Sequence, residues 1–193
     1  MALLRLVPGS RQRAKRFEAL IRQHYTPLYR VAYRWTHSVE DAEDLVQETC
    51  TRAWPRLEEI EQFDRPSGWL MRVMYRLFVD LTRRHDRRRV DELDDALLST
   101  LTSDEPGPDE QAERAGKAAR LARVWPRIDR DKRALLTLHD IEGYTLEELQ
   151  EITGLKEGTL KSRLHRARVS LGKMLQKDHD VAEIKVISGG RRK

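Results

Sequence analysis

The sequence predicts an all-α protein in which two small helical domains are joined by a flexible acidic linker. Three observations carry that prediction. Apolar residues recur three or four positions apart through most of residues 17–175, the spacing that gathers them on one face of a helix. Between residues 90 and 116 this periodicity lapses, and Pro106-Gly107-Pro108 stands among acidic side chains, a composition that cannot bury enough surface to order itself. Beyond that stretch, TLEELQEITGLKEGTLKSRLHRAR (residues 145–168) spells two helices around a glycine turn, the pattern of a helix-turn-helix that reads DNA.

Taken in order, residues 1–16 hold a short apolar patch followed by Arg11, Arg13, Lys15 and Arg16. That charge order is the reverse of a secretory signal, and the segment reads as a mobile basic tail. Phe17, Leu20, Ile21, Leu28, Val31, Ala32 and Trp35 then form a helical stripe, with Thr26-Pro27 marking a break or kink in its middle. Ser38-Val39-Glu40-Asp41 opens the next helix in the manner of a capping box. Ala42, Leu45, Val46 and Ala53 face inward there, leaving Glu40, Asp41, Glu43, Asp44, Gln47 and Glu48 as a dense acidic exterior. Acids in the first turn also favour the positive end of the helix dipole.

A short segment runs from Pro55 to Ile60, and residues 61–67 form a polar connection containing Phe63 and Pro66. Ser67 is the expected cap of a helix from Gly68 towards Arg84, with Leu70, Val73, Met74, Leu77 and Leu81 towards a core. Trp69, Arg72, Arg76 and Arg83 share another side. Aromatic and cationic groups interleaved on an exposed face suit unstacked bases and a phosphate backbone, since rings stack and cations neutralise. Periodicity equally allows Trp69, Tyr75 and Phe78 to be ordinary core aromatics.

The linker is the domain boundary. Asp91, Glu92, Asp94, Asp95, Asp104, Glu105, Asp109, Glu110 and Glu113 lie in it with no Lys or Arg between them. The expected layout is a tail (1–16), a first domain (17–90), the linker (91–116), a second domain (117–176) and a polar tail (177–193). In the second domain Leu121, Val124, Trp125 and Ile128 resume helical spacing, and Ala134, Leu135, Leu138 and Ile141 give a helix closed by Gly143. Thr145 and Glu148 then pair as a capping box, Leu146, Leu149 and Ile152 turn inward, and Gly154 supplies the left-handed residue a tight turn needs. On the following helix Leu160, Leu164, Ala167 and Leu171 face inward. Lys161, Ser162, His165 and Arg166 project together on the other side, with Arg163 and Arg168 flanking them as the expected phosphate contacts. Arg and Lys donate to guanine edges and phosphates, and Ser and imidazole serve either base type.

The 193 residues carry 37 Lys plus Arg against 32 Asp plus Glu, a net charge of +5, which suits a polyanionic partner. The single cysteine, Cys50, excludes an intramolecular disulfide or a cysteine-based zinc cluster and fits a reducing cytoplasm. No apolar run reaches the roughly 20 residues that span a bilayer, so no membrane insertion is expected. No nucleophile-base-acid constellation or glycine-rich phosphate loop is visible, and the histidines lack the paired spacing of a zinc site. The expectation is therefore no enzyme, no cofactor and no metal, with His24, His37, His85, His139 and His179 as surface or core residues.

Three segments together resemble extracytoplasmic-function (ECF, group IV) sigma factors of bacterial RNA polymerase. DAEDLVQETCTRAW (residues 41–54) resembles the family's polymerase-clamp-binding helix, WLMRVMYRLFVDLTRR (residues 69–84) its promoter-melting helix, and GYTLEELQEITGLKEGTLKSRLHRARVSL (residues 143–171) its region four. The resemblance covers roughly residues 17–175, and it implies that the two domains are sigma regions 2 and 4. Core RNA polymerase would then be a partner, through the clamp of its largest subunit and the flap of its second-largest, as would promoter DNA and an anti-sigma factor. By the same resemblance Asp41, Asp44, Leu45, Gln47 and Glu48 bind the clamp. Gln62, Phe63, Asp64 and Arg65 form the loop that catches a base flipped from the minus-ten element. Trp69, Arg72, Arg76, Asp80, Arg83 and Arg84 make the melting surface, and Lys161, Ser162, His165 and Arg166 read the minus-thirty-five element. The linker would thread the RNA exit path.

The family commonly has Asn where this chain has Arg76, and small or aliphatic residues where it has Met74 and Phe78. A guanidinium at that position favours phosphate contact over amide-type base readout. Other functions share some of these features. A stand-alone helix-turn-helix regulator would use residues 120–175 but leaves the acidic helix and the Trp69 side without a task. A sigma mimic that titrates an anti-sigma factor has no need of Lys161, Arg166 and Arg168, and a small nucleic-acid enzyme lacks a catalytic cluster.

Overall fold

The computed structural model describes the backbone of residues 10–88 and 108–189, and side chains within 11–83 and 116–178. Every regular element among the described residues is helical. Residues 1–9, most of the acidic linker (89–107), the last four residues and the side chains of Arg84, His85 and His179 lie outside them.

Helix α1 spans Ser10–Thr36 and buries Leu28, Val31, Ala32 and Trp35. It starts inside the stretch read as a mobile tail, because distant side chains hold it. The Arg13 guanidinium lies 4.9 Å over the Trp54 ring and pairs with Glu58 at 3.2 Å, Arg16 pairs with Glu61, and Phe17 meets Trp54 edge-on at 5.1 Å. Pro27 does not break the helix. Gln23, Thr26 and Pro27 are exposed, so water can serve the carbonyl that loses its amide partner. At the end of α1, His37 takes φ +58° and donates its amide to Tyr33 at 2.8 Å. Burial, and then the charge of Arg133, lowers its pKa to about 4.

Helix α2 (Val39–Ala53) begins as expected, with the Ser38 hydroxyl accepting from the Asp41 amide at 3.1 Å. A turn at Trp54–Arg56 and the short α3 (Leu57–Ile60) lead to α4, Pro66–Arg88. Helix α4 starts ahead of the expected cap Ser67, since proline's fixed φ and missing amide suit the first helical position. Its buried residues are Leu70, Met71, Met74, Tyr75, Phe78 and Thr82, while Val73, Leu77 and Leu81 are only half-buried. Tyr75 and Phe78 are thus core aromatics, with rings 5.9 and 4.9 Å from that of Trp35. The buried arc is wide because α4 packs against α1 and α2 and also against a helix of the second domain.

That domain contains α5 (Pro108–Val124), a turn at Trp125–Arg127, and α6 (Arg130–Leu136), which Asp129 caps by accepting from the Lys132 amide. Helix α5 takes in the last residues assigned to the linker. After α6 the chain widens over Thr137–Ile141, where the Glu142 amide reaches back five residues to the Thr137 carbonyl. The widening rotates Ile141 outward to 43% exposure, against the inward position its spacing predicts. Gly143 follows at φ +76°, then α7 (Leu146–Thr153) and α8 (Glu157–Gly189). Helix α8 continues through most of the segment read as a C-terminal tail.

The two domains pack together, an arrangement sequence alone left open: α1 meets α6, and α4 meets α7. The end of α1 is the hinge of this contact. Trp125 Nε1 donates to the Arg34 carbonyl at 3.1 Å, and the buried Arg133 guanidinium donates to the carbonyls of Trp35 at 2.6 Å and Pro126 at 3.2 Å. Carbonyls at a helix C-terminus lack intrahelical donors and carry the negative end of the dipole, so they favour a cation. Arg34 and Glu142 add an ion pair beside them.

Candidate nucleic-acid interface

The helix-turn-helix is built as its sequence predicts. Thr145 and Glu148 exchange both capping-box bonds, at 2.9 and 3.2 Å. Leu149, Ile152, Leu160, Leu164 and Ala167 are buried, and Leu146 and Leu171 are partly so. Gly154 caps α7 at φ +74°, and a Cβ added there would meet nothing within 4 Å, so its requirement is conformational and not steric. Gly154→Ala is therefore expected to lower stability by about 1–2 kcal/mol, read as a fall in Tm; an unchanged Tm would show that the left-handed residue is not needed.

Lys161, Ser162, His165 and Arg166 are all exposed on α8. Their present partners are local: Lys161 pairs with Glu157 at 2.6 Å, the Ser162 hydroxyl donates to the Thr159 carbonyl, and Arg166 Nε donates to the Ser162 carbonyl at 3.3 Å. Exposed pairs of this kind contribute little and exchange readily for base edges or phosphates. The flanking residues differ. Arg168 is exposed but makes two bonds to Asp140, at 2.9 and 2.5 Å, which raise its pKa. Arg163 is half-buried, close enough to Tyr75 of α4 for its charge to act on that phenol.

Two grooves run beside α4. In the first, of about 440 Å³, Trp69, Arg72, Arg76 and Asp80 form one wall and Arg52 and Arg56 the other. Sequence reading missed Arg52 and Arg56. Their spacing of four places them together, but only folding sets them opposite α4. Arg52 pairs with Glu48 at 2.9 Å and Arg56 with Glu59 at 2.8 Å. The second groove, of about 340 Å³, gathers Asp41, Asp44, Glu48 and Asp80 around Leu45, Leu77 and Leu81, with Arg52 and Asp80 shared between the two grooves. Four of the residues assigned to one partner thus converge there, with buried Leu45 as part of the floor, while Gln47 is exposed elsewhere on α2.

The loop residues Gln62, Phe63, Asp64 and Arg65 are exposed between α3 and α4, and Arg83 is exposed further along α4. Phe63, Arg65, Trp69 and Arg72 also line a cleft of about 700 Å³ whose opposite wall is Tyr144, Glu148, Glu151 and Ile152 of the second domain. Arg65 meets Glu148 across it at 2.5 Å. Among the described residues no group of three His, Cys, Asp or Glu is placed to hold a metal ion, and no helix is long and apolar enough to cross a membrane.

Comparison with known proteins accounts for both halves. Residues 20–88 match Sigma-70 region 2, and residues 120–171 match Sigma-70, region 4. The chain is 34% identical over 161 residues to the ECF RNA polymerase sigma factor SigE of Mycolicibacterium smegmatis, covering 83% of this chain and 62% of that longer protein. It is 30% identical over 170 residues to the RNA polymerase sigma factor CnrH of Cupriavidus metallidurans, covering 85% of this chain and 88% of CnrH. The sigma factor RpoE of Bartonella quintana, solved with the anti-sigma factor NepR, shares the fold at a TM-score of 0.63 and 23% identity over 83% of this chain and 96% of that one. The chain belongs to the sigma-70 family of RNA polymerase sigma factors. The chain is also 33% identical over 159 residues to the ECF RNA polymerase sigma factor SigL of Mycobacterium tuberculosis, covering 82% of this chain and 88% of SigL, which places it among the ECF type, alternative sigma factors that direct transcription initiation.

Proposed function

We propose that this chain binds core RNA polymerase and makes it promoter-specific by engaging two DNA elements at once and trapping one of them in melted form. The observation that carries this reading is the pair of dissimilar grooves flanking α4. The acidic one, with its apolar floor of Leu45, Leu77 and Leu81, suits a basic helix of the polymerase clamp. The arginine-lined one, with Trp69 at its edge, suits a single strand, which needs cations along its phosphates and rings beneath its bases. In this reading Arg52 and Arg56 join Arg72 and Arg76 on the backbone of the melted strand. The Gln62 to Arg65 loop takes the flipped base, and Lys161, Ser162, His165 and Arg166 read the upstream duplex. Arg163 and Arg168 lie at its margins, region 4 contacts the flap, and an anti-sigma factor is a further partner on grounds of family membership. Bond making stays with the polymerase.

A stand-alone regulator would leave both grooves without a task. The two readings part on one experiment, the binding of duplex promoter DNA at physiological salt with and without core polymerase. Binding that needs core supports the sigma reading, and equally tight binding by the protein alone contradicts it. Arg166→Ala is expected to weaken promoter use by roughly 1–3 kcal/mol and relax selectivity at one position of the upstream element. An unchanged transcript profile would remove Arg166 from the base contacts.

A further inference from the structure

We propose that the Arg16–Glu61 pair positions the minus-ten site: it ties the first turns of α1 to the stem of the loop at residues 62–65, so that the loop meets the flipped base already shaped. This rests on the promoter reading above, and it names two residues that serve that site without touching DNA.

The loop is fixed unequally at its two ends. On the α4 side the Arg65 carbonyl accepts from the Gly68 amide at 3.2 Å, as part of the helix start. On the α3 side the amides of Gln62 and Phe63 donate to the carbonyls of Glu59 and Ile60, at 3.2 Å each, and α3 is only four residues long. A helix that short does not hold itself in water, so it depends on what it touches. Its Leu57 and Ile60 are buried, and a further tie comes from α1. Arg16 engages both carboxylate oxygens of Glu61, with Nε at 3.0 Å from one of them, and such a two-pronged pairing fixes orientation as well as distance. Glu61 immediately precedes Gln62. Three positions before Arg16, the Arg13 guanidinium donates to the Trp54 carbonyl at 3.0 Å and to Glu58 at 3.2 Å. That keeps this turn of α1 against the connection and supports the stretch from which Arg56 reaches the arginine groove. Both arginines precede the stretch matched to region 2, which begins at residue 20, so their side of the device lies outside that match. An exposed pair contributes little to global stability. Its value here is local: without it the loop must be ordered when the base arrives, and apparent affinity falls by the fraction of molecules that have the loop in place.

The test assembles full-chain variants with core polymerase: Arg16→Gln, Glu61→Arg, and Arg16→Glu combined with Glu61→Arg, which reverses the pair and keeps the net charge. Arg22→Gln, on the exposed side of the same helix, is the charge control. The probe is a labelled non-template single strand spanning the minus-ten element of a promoter mapped with this protein. Arg16→Gln and Glu61→Arg should each bind it about three- to fivefold less tightly than the wild type and the control, and each should lose part of its preference for the flipped base over an abasic site. The reversed pair should recover most of both. Glu61→Arg separates geometry from charge, because an added cation would tighten binding to a polyanion if charge alone mattered. Capture of core and binding of an upstream duplex should be unchanged throughout. In the free protein, Arg16→Gln should speed hydrogen exchange at the amides of Gln62 and Phe63. Strand affinity in Glu61→Arg equal to or above that of the wild type overturns the proposal, as does a reversed pair no better than Glu61→Arg alone, or unchanged exchange at both amides. Exchange reads the loop without DNA, so a failure of the promoter reading, seen as no initiation by the wild type with core polymerase, is told apart from a failure of the positioning role.

Discussion

Asp44→Lys combined with Glu48→Lys is expected to cost this protein at least about a hundredfold in affinity for core RNA polymerase. The two carboxylates stand on the wall of a groove that also holds Asp41 and Asp80 over an apolar floor, and a clamp helix suited to that groove presents basic side chains. Like-charge contact across an interface costs several kcal/mol, and each 1.4 kcal/mol or so is a factor of ten. Folding should suffer far less. Asp44 is exposed, and reversing Glu48 exchanges one exposed pair with Arg52 for a repulsion that costs only tenths of a kcal/mol on a helix surface. Competition for core against a labelled wild type, with Tm measured alongside, checks both halves. Normal capture of core by the double variant would remove α2 from the clamp interface.

The second large effect is on stability. Arg133→Ala is expected to destabilise the protein by roughly 2–4 kcal/mol, because buried carbonyls left without a donor each cost about 1–3 kcal/mol. The guanidinium is 3% exposed and serves the carbonyls of Trp35 and Pro126. Arg133→Lys should recover only part of this, since one ammonium lacks the planar fork that reaches both. Denaturant unfolding measures the loss; a shift within error would show that this residue does not hold region 4 to region 2.

His37 gives the same region a pH dependence. Burial first, and Arg133 second, lower its pKa from 6.5 to about 4, so the folded state holds it neutral. A depressed folded value means the associated stability is complete above about pH 6.5 and is lost as pH falls towards 4. Removing Arg133 takes away the lesser cause, so the His37 pKa should rise in that variant without regaining its ordinary value.

What could be read from sequence follows the range of the interactions involved. The capping box at Thr145 and Glu148 and the left-handed turn at Gly154 involve residues within one turn of each other, and local chemistry specifies them. The acidic side of α2 was legible for the same reason, although the role proposed for it rests on family resemblance. Features made by distant partners were not legible. Helix α1 begins at Ser10 because Trp54, Glu58 and Glu61, some forty residues away, engage Arg13 and Arg16. Arg133 looks in sequence like any solvated arginine, and only the end of α1 makes it a buried one. Arg52 and Arg56 become part of a cationic groove only once α4 lies opposite. Met71 was not anticipated as a core residue, whereas Tyr75 and Phe78, which periodicity left open, are placed in the core by the ring of Trp35 on α1.

The most direct test of the sigma-factor role is transcription in vitro with purified core polymerase and fragments of the source genome, with and without this protein, followed by mapping of transcript starts. New starts are expected only when the protein is added, each preceded by two sequence elements at a constant separation. Core enzyme that gains no new start on any fragment in the presence of the folded protein would contradict that role.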